Sequence, residues 1–210
     1  GIICLVTILL CLGTMTISLP IALLVGFIRS VRSQNLLIKI LKFVMSIFIS
    51  AVRGTPLMLQ LMFLFFGLPF MGINLSSMLS GLLGLTVYST AYLAEIVRTG
   101  IDSISKEQWD ASAALGLSYM QSMRAVILPQ AFRIMIPPAV GFFIGLIKDS
   151  SLCALIGFVE LARAGRIIVE KTHQSLLIFS LVSVLYFMIC YPLSNLSQKI
   201  EHKLRLKGVS

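Results

Sequence analysis

Three stretches of this chain contain no Asp, Glu, Lys or Arg: residues 2–28, 54–94 and 172–198. A helix needs about 20 apolar residues to cross the hydrocarbon core of a bilayer. The first and third stretches are each long enough for one crossing. The second is long enough for two, folded at GLPFMGINLSS (67–77), where the glycines, the proline and Asn74 suit a turn. A fourth apolar stretch, 134–159, is interrupted by Lys148 and Asp149. These lengths predict an all-α membrane protein of five transmembrane helices, at about 2–28, 40–66, 78–97, 134–159 and 174–197. All lie in one transmembrane domain (1–210), with a cytoplasmic loop at 99–133. Only 12% of the residues are charged, about half of what a soluble domain carries, so no soluble domain is expected. The first stretch is too long for a cleaved signal peptide, and its arginines follow it instead of preceding it. The chain does not begin with methionine, so further residues are expected upstream.

The net charge of +9 invites a nucleic-acid reading, but its distribution argues for topology. Arg29, Arg32, Lys39, Lys42 and Arg53 follow the first span. Arg98, Lys106, Arg124 and Arg133 follow the third, and Lys199, Lys203, Arg205 and Lys207 close the chain. The opposite side holds only Lys148, Arg163, Arg166 and Lys171. Thirteen against four is a positive-inside asymmetry, with the N-terminus outside and the C-terminus cytoplasmic. No nucleic-acid partner is required.

Chemistry-bearing patterns are few. Cys4, Cys11, Cys153 and Cys190 lack metal-ligand spacing and read as packing residues. Residues 165–172, GRIIVEKT, imitate a phosphate loop, but Glu170 stands where glycine must admit phosphate to the backbone. His173 and His202 are single and on opposite sides. No catalytic or metal constellation emerges, and the chain is expected to bind no ATP itself.

Local signals are richer. Thr55-Pro56 is a helix start, with Thr55 as cap and Pro56 as first residue. The preceding Arg53-Gly54 marks a bend, and Arg53 is either an interfacial arginine or part of a gate. The helix from Pro56 is too short to span alone, so residues 36–52 must contribute, partly along the cytoplasmic interface. In the third span Gly81 and Gly84 point to close helix packing. Tyr88, Tyr92 and Glu95 share a face, and Glu95 has Arg98 or Arg53 as ion-pair candidates.

The loop contains EQWDASAALGLSYMQSMRAVILPQA (107–131). Ser105 with Gln108, and Ser118 with Gln121, match capping boxes. Gly116 suits a helix stop, and Pro129 should limit the second helix. The prediction is helix, glycine turn, helix. The first helix displays Ala111, Ala113 and Ala114 beside Trp109 and Leu115. A helix this short needs a groove to persist, on another protein or on its own membrane helices.

At this point the chain resembles a known family. DASAALGLSYMQSMRAVILP is similar to the EAA loop of ABC-importer permeases, E-A-A-x3-G-x9-I-x-L-P, through Asp110, Ala111, Ser112, Gly116, Val126, Leu128 and Pro129. Asp, Ser and Val replace Glu, Ala and Ile with the spacing intact. Arg53-Gly54-Thr55-Pro56, AYLAEIVRTGIDSI (91–104) and LIKDSSLCALIG (146–157) resemble permeases for polar amino acids. The resemblance implies the type I importer permease fold in a bacterial cytoplasmic membrane. It makes 110–115 a coupling helix, with Trp109 and Gly116 at its ends, that docks on a separate ATPase dimer carrying ATP and magnesium. It also implies an extracytoplasmic amino-acid-binding protein and a second permease subunit, identical or paralogous. Asp149 stands in the outer half of the fourth span, where an ionisable group is expensive. By resemblance it belongs to the substrate cavity and attracts an ammonium group. Ser150, Ser89, Thr90 and Phe66 are candidates for the other walls, and pairing of Asp149 with Lys148 or an arginine is the alternative. Two rival functions remain. An ion-gradient transporter predicts an internal repeat, of which none is evident, and more ionisable residues in the spans. A non-transporting scaffold leaves the interrupted fourth span and the loop unexplained.

Overall fold

The computed structural model describes residues 2–206; Lys207 and the side chain of Arg205, counted above in the charge asymmetry, lie outside that description. Among the described residues, four helical segments are long and apolar enough to cross a membrane. They are α1 (Ile2–Ser30), α4 (Ser77–Asp102), the 38-residue Tyr119–Ile156 and α9 (Ser175–Leu206). α1, α4 and α9 overlap the expected first, third and fifth spans, and Tyr119–Ile156 overlaps the fourth but begins 15 residues earlier, inside the expected loop.

The predicted second span is not one helix. α2 (Leu36–Gly54) stops at Thr55, and α3 (Leu57–Met62) continues through a π turn, Phe63–Gly67, into a 3-10 turn, Leu68–Met71. Proline has no N–H and disfavours a helical residue before it; Thr55 is accordingly extended at φ −112°, ψ 144°. The predicted start is corrected by one residue, because Pro56 itself occupies the cap position of α3. The Thr55 hydroxyl turns back to donate to Ala51 O at 2.9 Å. The Gln60 amide then bridges the break, donating to Val52 O at 2.7 Å and to Thr55 O at 3.1 Å. Carbonyls orphaned at the end of α2 are thus satisfied inside the kink.

α1 and α4 form the most extensively packed pair. The buried face of α1 is a seam of small residues, Thr7, Cys11, Thr14, Ser18, Ala22, Gly26 and Ser30. Lipid tails are as apolar as leucine, so membrane helices gain by close approach instead of by burying oil. Gly26 shows how close: a Cβ there would lie 2.5 Å from Val97 Cβ and 2.7 Å from Ala94 O. Gly81 and Gly84, read from the sequence as packing glycines, admit Cys153 and Leu61 respectively.

One element was not anticipated. α8 (Leu161–Thr172) follows the 3-10 turn Ser150–Ile156 and ends at His173, whose φ of 58° is left-handed. It contains the whole GRIIVEKT segment, so the phosphate-loop imitation is a helix, with Gly165 set against Val182 of α9. The outer surfaces of α2 and α9 remain apolar and exposed, among them Leu37, Phe43, Leu176, Phe187 and Met188, as lipid-facing surfaces are.

Candidate coupling hairpin and substrate-path residues

α5 (Lys106–Ala114) starts where the sequence placed it, but the first capping box does not form. The Ser105 hydroxyl donates to the exposed Glu107 carboxylate instead, holding it below the usual carboxylate range. Gln108 accepts from the Gln130 amide at 3.2 Å. The glycine stop is as expected. Gly116 has φ +75°, its N–H donates to Ala113 O at 2.9 Å, and Leu117 N–H donates to Ser112 O at 3.2 Å. That pair of bonds closes a Schellman turn.

The second capping box is complete. Gln121 N–H donates to Ser118 Oγ, and Ser118 N–H donates to Gln121 Oε1 at 2.8 Å. α6 (Tyr119–Ser122) passes through a π turn, Met123–Ile127, directly into α7 (Leu128–Asp149). Pro129 therefore does not end the helix, contrary to the sequence expectation. Leu128 N–H reaches back five residues to Met123 O. The widened turn gives the proline ring room and absorbs its missing donor.

The two sides of α5 differ. Asp110, Ala111, Ala113, Ala114, Leu115 and Gly116 are exposed, Leu115 at 79%. Ser112 is buried and donates to Trp109 O at 2.8 Å. Of the two alternatives for covering Trp109, another protein or its own chain, the structure shows the second. Trp109 stacks on Tyr119 at 5.4 Å and 18° and packs on the cluster of Ile104, Met123 and Ile127. What stays free is a small-residue face edged by Leu115.

Toward the C-terminal end of α4, Glu95 gathers three arginines from three helices. Arg29 of α1 and Arg98 lie 2.7 Å from its two oxygens, and Arg53 of α2 lies 3.6 Å away. Arg98 also pairs with Asp102 at 2.7 Å. Arg29 donates from Nε to Ser46 Oγ at 3.2 Å, and Arg53 lies over the Tyr92 ring at 5.2 Å. The sequence named Arg98 and Arg53 but missed Arg29, which is the most buried of the three.

Asp149 ends α7 half-buried, where the backbone tightens into the 3-10 turn. Tyr88 packs on the core cluster that includes Leu146 and Ile147, in the turn of α7 that precedes Asp149. Tyr88, Tyr92 and Phe142 form an aromatic cluster with centroids 4.6 to 6.1 Å apart. Ser150 is buried and donates to Ile147 O at 2.8 Å. Ser89 is buried with no partner for its hydroxyl, and Thr90 is half-buried. Phe66 is half exposed and meets Phe65 edge to face, while Phe65 packs on the core around Leu146 and Ile147. Tyr88 of α4 and the last turn of α7 thus pack on one core cluster, whereas Phe66 faces outward. A cavity of about 470 Å³ is lined by Lys148 and Ser151, which flank Asp149 and Ser150 in sequence, and by Ser183, Tyr186, Phe187 and Cys190.

Residues 18–205 match the family described as binding-protein-dependent transport system inner membrane component. The chain belongs to this family. The permease is 38% identical over 177 residues to the probable amino-acid ABC transporter permease protein YckA of Bacillus subtilis (strain 168), covering 84% of this chain and 77% of that relative. It is 37% identical over 190 residues to the glutamine transport system permease protein GlnP of Escherichia coli (strain K12), covering 90% and 84%. A crystal structure of an amino acid ABC transporter with histidines superposes with a TM-score of 0.88 at 32% identity, covering 95% of this chain and 91% of the other. The MetNI methionine ABC transporter shares the fold, with a TM-score of 0.72 at 21% identity over 94% of this permease and 90% of that chain.

The permease also has a polar hub that sequence reasoning missed. Glu160, fully buried, caps α8 by accepting from Ala162 N–H at 2.9 Å and Arg163 N–H at 2.7 Å. Tyr186 of α9 donates to the same carboxylate at 2.7 Å, and Leu161 N–H donates to Thr7 Oγ1 of α1 at 3.2 Å. A glutamate directly ahead of the amphipathic LARAGRIIVEKT was the available signal.

Proposed function

We propose that this permease subunit carries a polar amino acid inward across a bacterial cytoplasmic membrane, driven by a separate ATPase. ATP and magnesium are held by that ATPase dimer and not by this chain. An extracytoplasmic binding protein delivers the substrate, and a second permease subunit, identical or paralogous, completes the path. In this reading α2 with α3 makes the fifth crossing, the N-terminus is outside and the C-terminus is cytoplasmic. The observation that carries it is the hairpin: a helix too short to persist in water is held by a glycine stop and presents a free face of Ala111, Ala113, Ala114 and Leu115. Small side chains let a groove on the ATPase approach the helix backbone. ATP binding then selects one permease conformation by binding it better than the other. The direct test is ATP-dependent amino-acid uptake by liposomes holding the permease, the ATPase and the binding protein.

Two substitutions probe the parts. Ala113→Glu puts charge and bulk on the free face of α5, so recovery of the ATPase on purified permease should fall about tenfold, equivalent to ~1.4 kcal/mol. Membrane insertion should be unchanged, and full recovery with normal uptake would remove α5 from the docking site. Asp149→Asn keeps the shape and removes the charge. If Asp149 attracts an ammonium group, with Ser150, Ser89 and Thr90 nearby, arginine uptake should fall by about tenfold, the scale of one charge-assisted hydrogen bond. Equal uptake of arginine and glutamine by the variant and the wild type would make Asp149 structural. Arg53, the loosest partner of Glu95, is assigned to the gate.

A further inference from the structure

The turn between α1 and α2 touches the hairpin at one point. Arg32 lies in that turn, its guanidinium 5.0 Å from the centroid of the Trp109 ring. Trp109 in turn stacks on Tyr119 at 5.4 Å and 18°. The backbone closes the same contact a second way, because Arg32 N–H donates to Tyr119 Oη at 3.3 Å. One residue thus holds both rings of the hairpin, one from α5 and one from the first residue of α6. The turn itself is fastened. Lys42 donates to Val31 O at 2.8 Å, and Asn35 caps α2 by accepting from Leu37 N–H at 2.9 Å.

Three residues upstream, Arg29 is the buried partner of Glu95. From Tyr119 and Trp109 the side-chain contacts reach Arg32. The link to Arg29 is the backbone between them, where Val31 N–H still donates to Phe27 O at 3.1 Å. Side-chain contacts resume from Arg29 to Glu95, Arg53 and the Tyr92 ring. Along sequence, the hairpin is joined to the membrane helices by α4 before it and α7 after it. The Arg32 contact adds an attachment to the α1–α2 turn, beside the packing of Leu23 and Phe27 of α1 on the cluster of Met123 and Ile127.

We propose that Arg32 is a positioning residue that fixes the hairpin to the α1–α2 turn, so that displacement of α5 by the ATPase reaches α1 and the Glu95 cluster. The proposal rests on the reading of α5 as the docking helix. It assigns Arg32 no contact with the ATPase or with substrate. Its chemistry is a cation on an aromatic face, which an ammonium also satisfies.

The test uses the complete complex, permease with ATPase and binding protein, in liposomes, with L-arginine and L-glutamine as substrates. Arg32→Ala should retain ATPase recovery and ATP hydrolysis while uptake per ATP hydrolysed falls roughly two- to fivefold. Arg32→Lys should restore most of that ratio. Tyr119→Leu should lower the ratio as Arg32→Ala does, and the double variant should be no worse than either alone, since both break one series of contacts. An unchanged ratio in Arg32→Ala overturns the proposal. So does loss of ATPase recovery in that variant, which makes Arg32 a docking residue, and so does a lysine variant that behaves like alanine. If the wild-type complex imports neither amino acid and recovers no ATPase, the reading of α5 fails first, and this inference falls with it.

Discussion

Replacing Glu95 with glutamine is expected to lower the unfolding free energy of the permease by about 3 kcal/mol, the low end of what breaking a buried pair costs. Both carboxylate oxygens are in use, and the side chain is 18% exposed against 9% for Arg29. Without the charge, Arg29, Arg53 and Arg98 converge from three helices with only Asp102 to balance them. An amide keeps the shape and one acceptor oxygen, so the loss isolates charge from packing. Unfolding by denaturant in detergent micelles would measure it. A change below about 1 kcal/mol would mean that the arginines are hydrated as surface pairs are. Glu95→Asp should fall between the two.

Glu160→Ala should cost a similar amount, about 3 kcal/mol, by a different route. The substitution removes a helix cap, worth about 1 kcal/mol, and leaves two backbone N–H groups and the Tyr186 hydroxyl without an acceptor in a buried place. The damage is local to the junction of α1, α8 and α9. Hydrogen exchange at Leu161–Gly165 should accelerate first, ahead of exchange in α4. Tyr186→Phe removes one of the three bonds and should cost about 1 kcal/mol. Uniform acceleration along the chain, or none in α8, would deny Glu160 its role as the joint between these helices.

Three of the four long helices were legible because a charge-free run is a one-dimensional signal that the bilayer demands, and the fourth because its apolar stretch is broken only by Lys148 and Asp149. The hairpin was legible for a related reason: Gly116, and Ser118 with Gln121, act on neighbours within four residues. What escaped was either non-local or a compromise. Arg29 and Glu95 are 66 residues apart, and nothing near Arg29 announces its partner. Trp109 looked like an unpaired face because Tyr119 lies across a turn. Pro129 was read as a stop because propensity assumes a regular ladder, whereas the π turn just ahead of it removes the clash. α8 was overlooked because a short amphipathic helix between two spans resembles a loop in hydropathy. Among the substrate-path candidates, Phe66 lies within the π turn Phe63–Gly67, where a regular 3.6-residue period does not tell which face a side chain takes.

The unbroken run from Tyr119 to Ile156 has a mechanical meaning. Had Pro129 cut it, the hairpin would hang from a flexible joint, and its movements would be dissipated at the membrane surface. With the π turn in place it is the handle of a lever arm, about 28 Å from Tyr119 to the paired prolines Pro137 and Pro138. A tilt of about 5° at the handle sweeps the far end of that arm by about 2 Å. Pro137 and Pro138 lie inside the helix at the far end of that arm, where each leaves one ladder bond unmade. A single irregular turn, inserted ahead of one proline, decides whether the shaft is stiff.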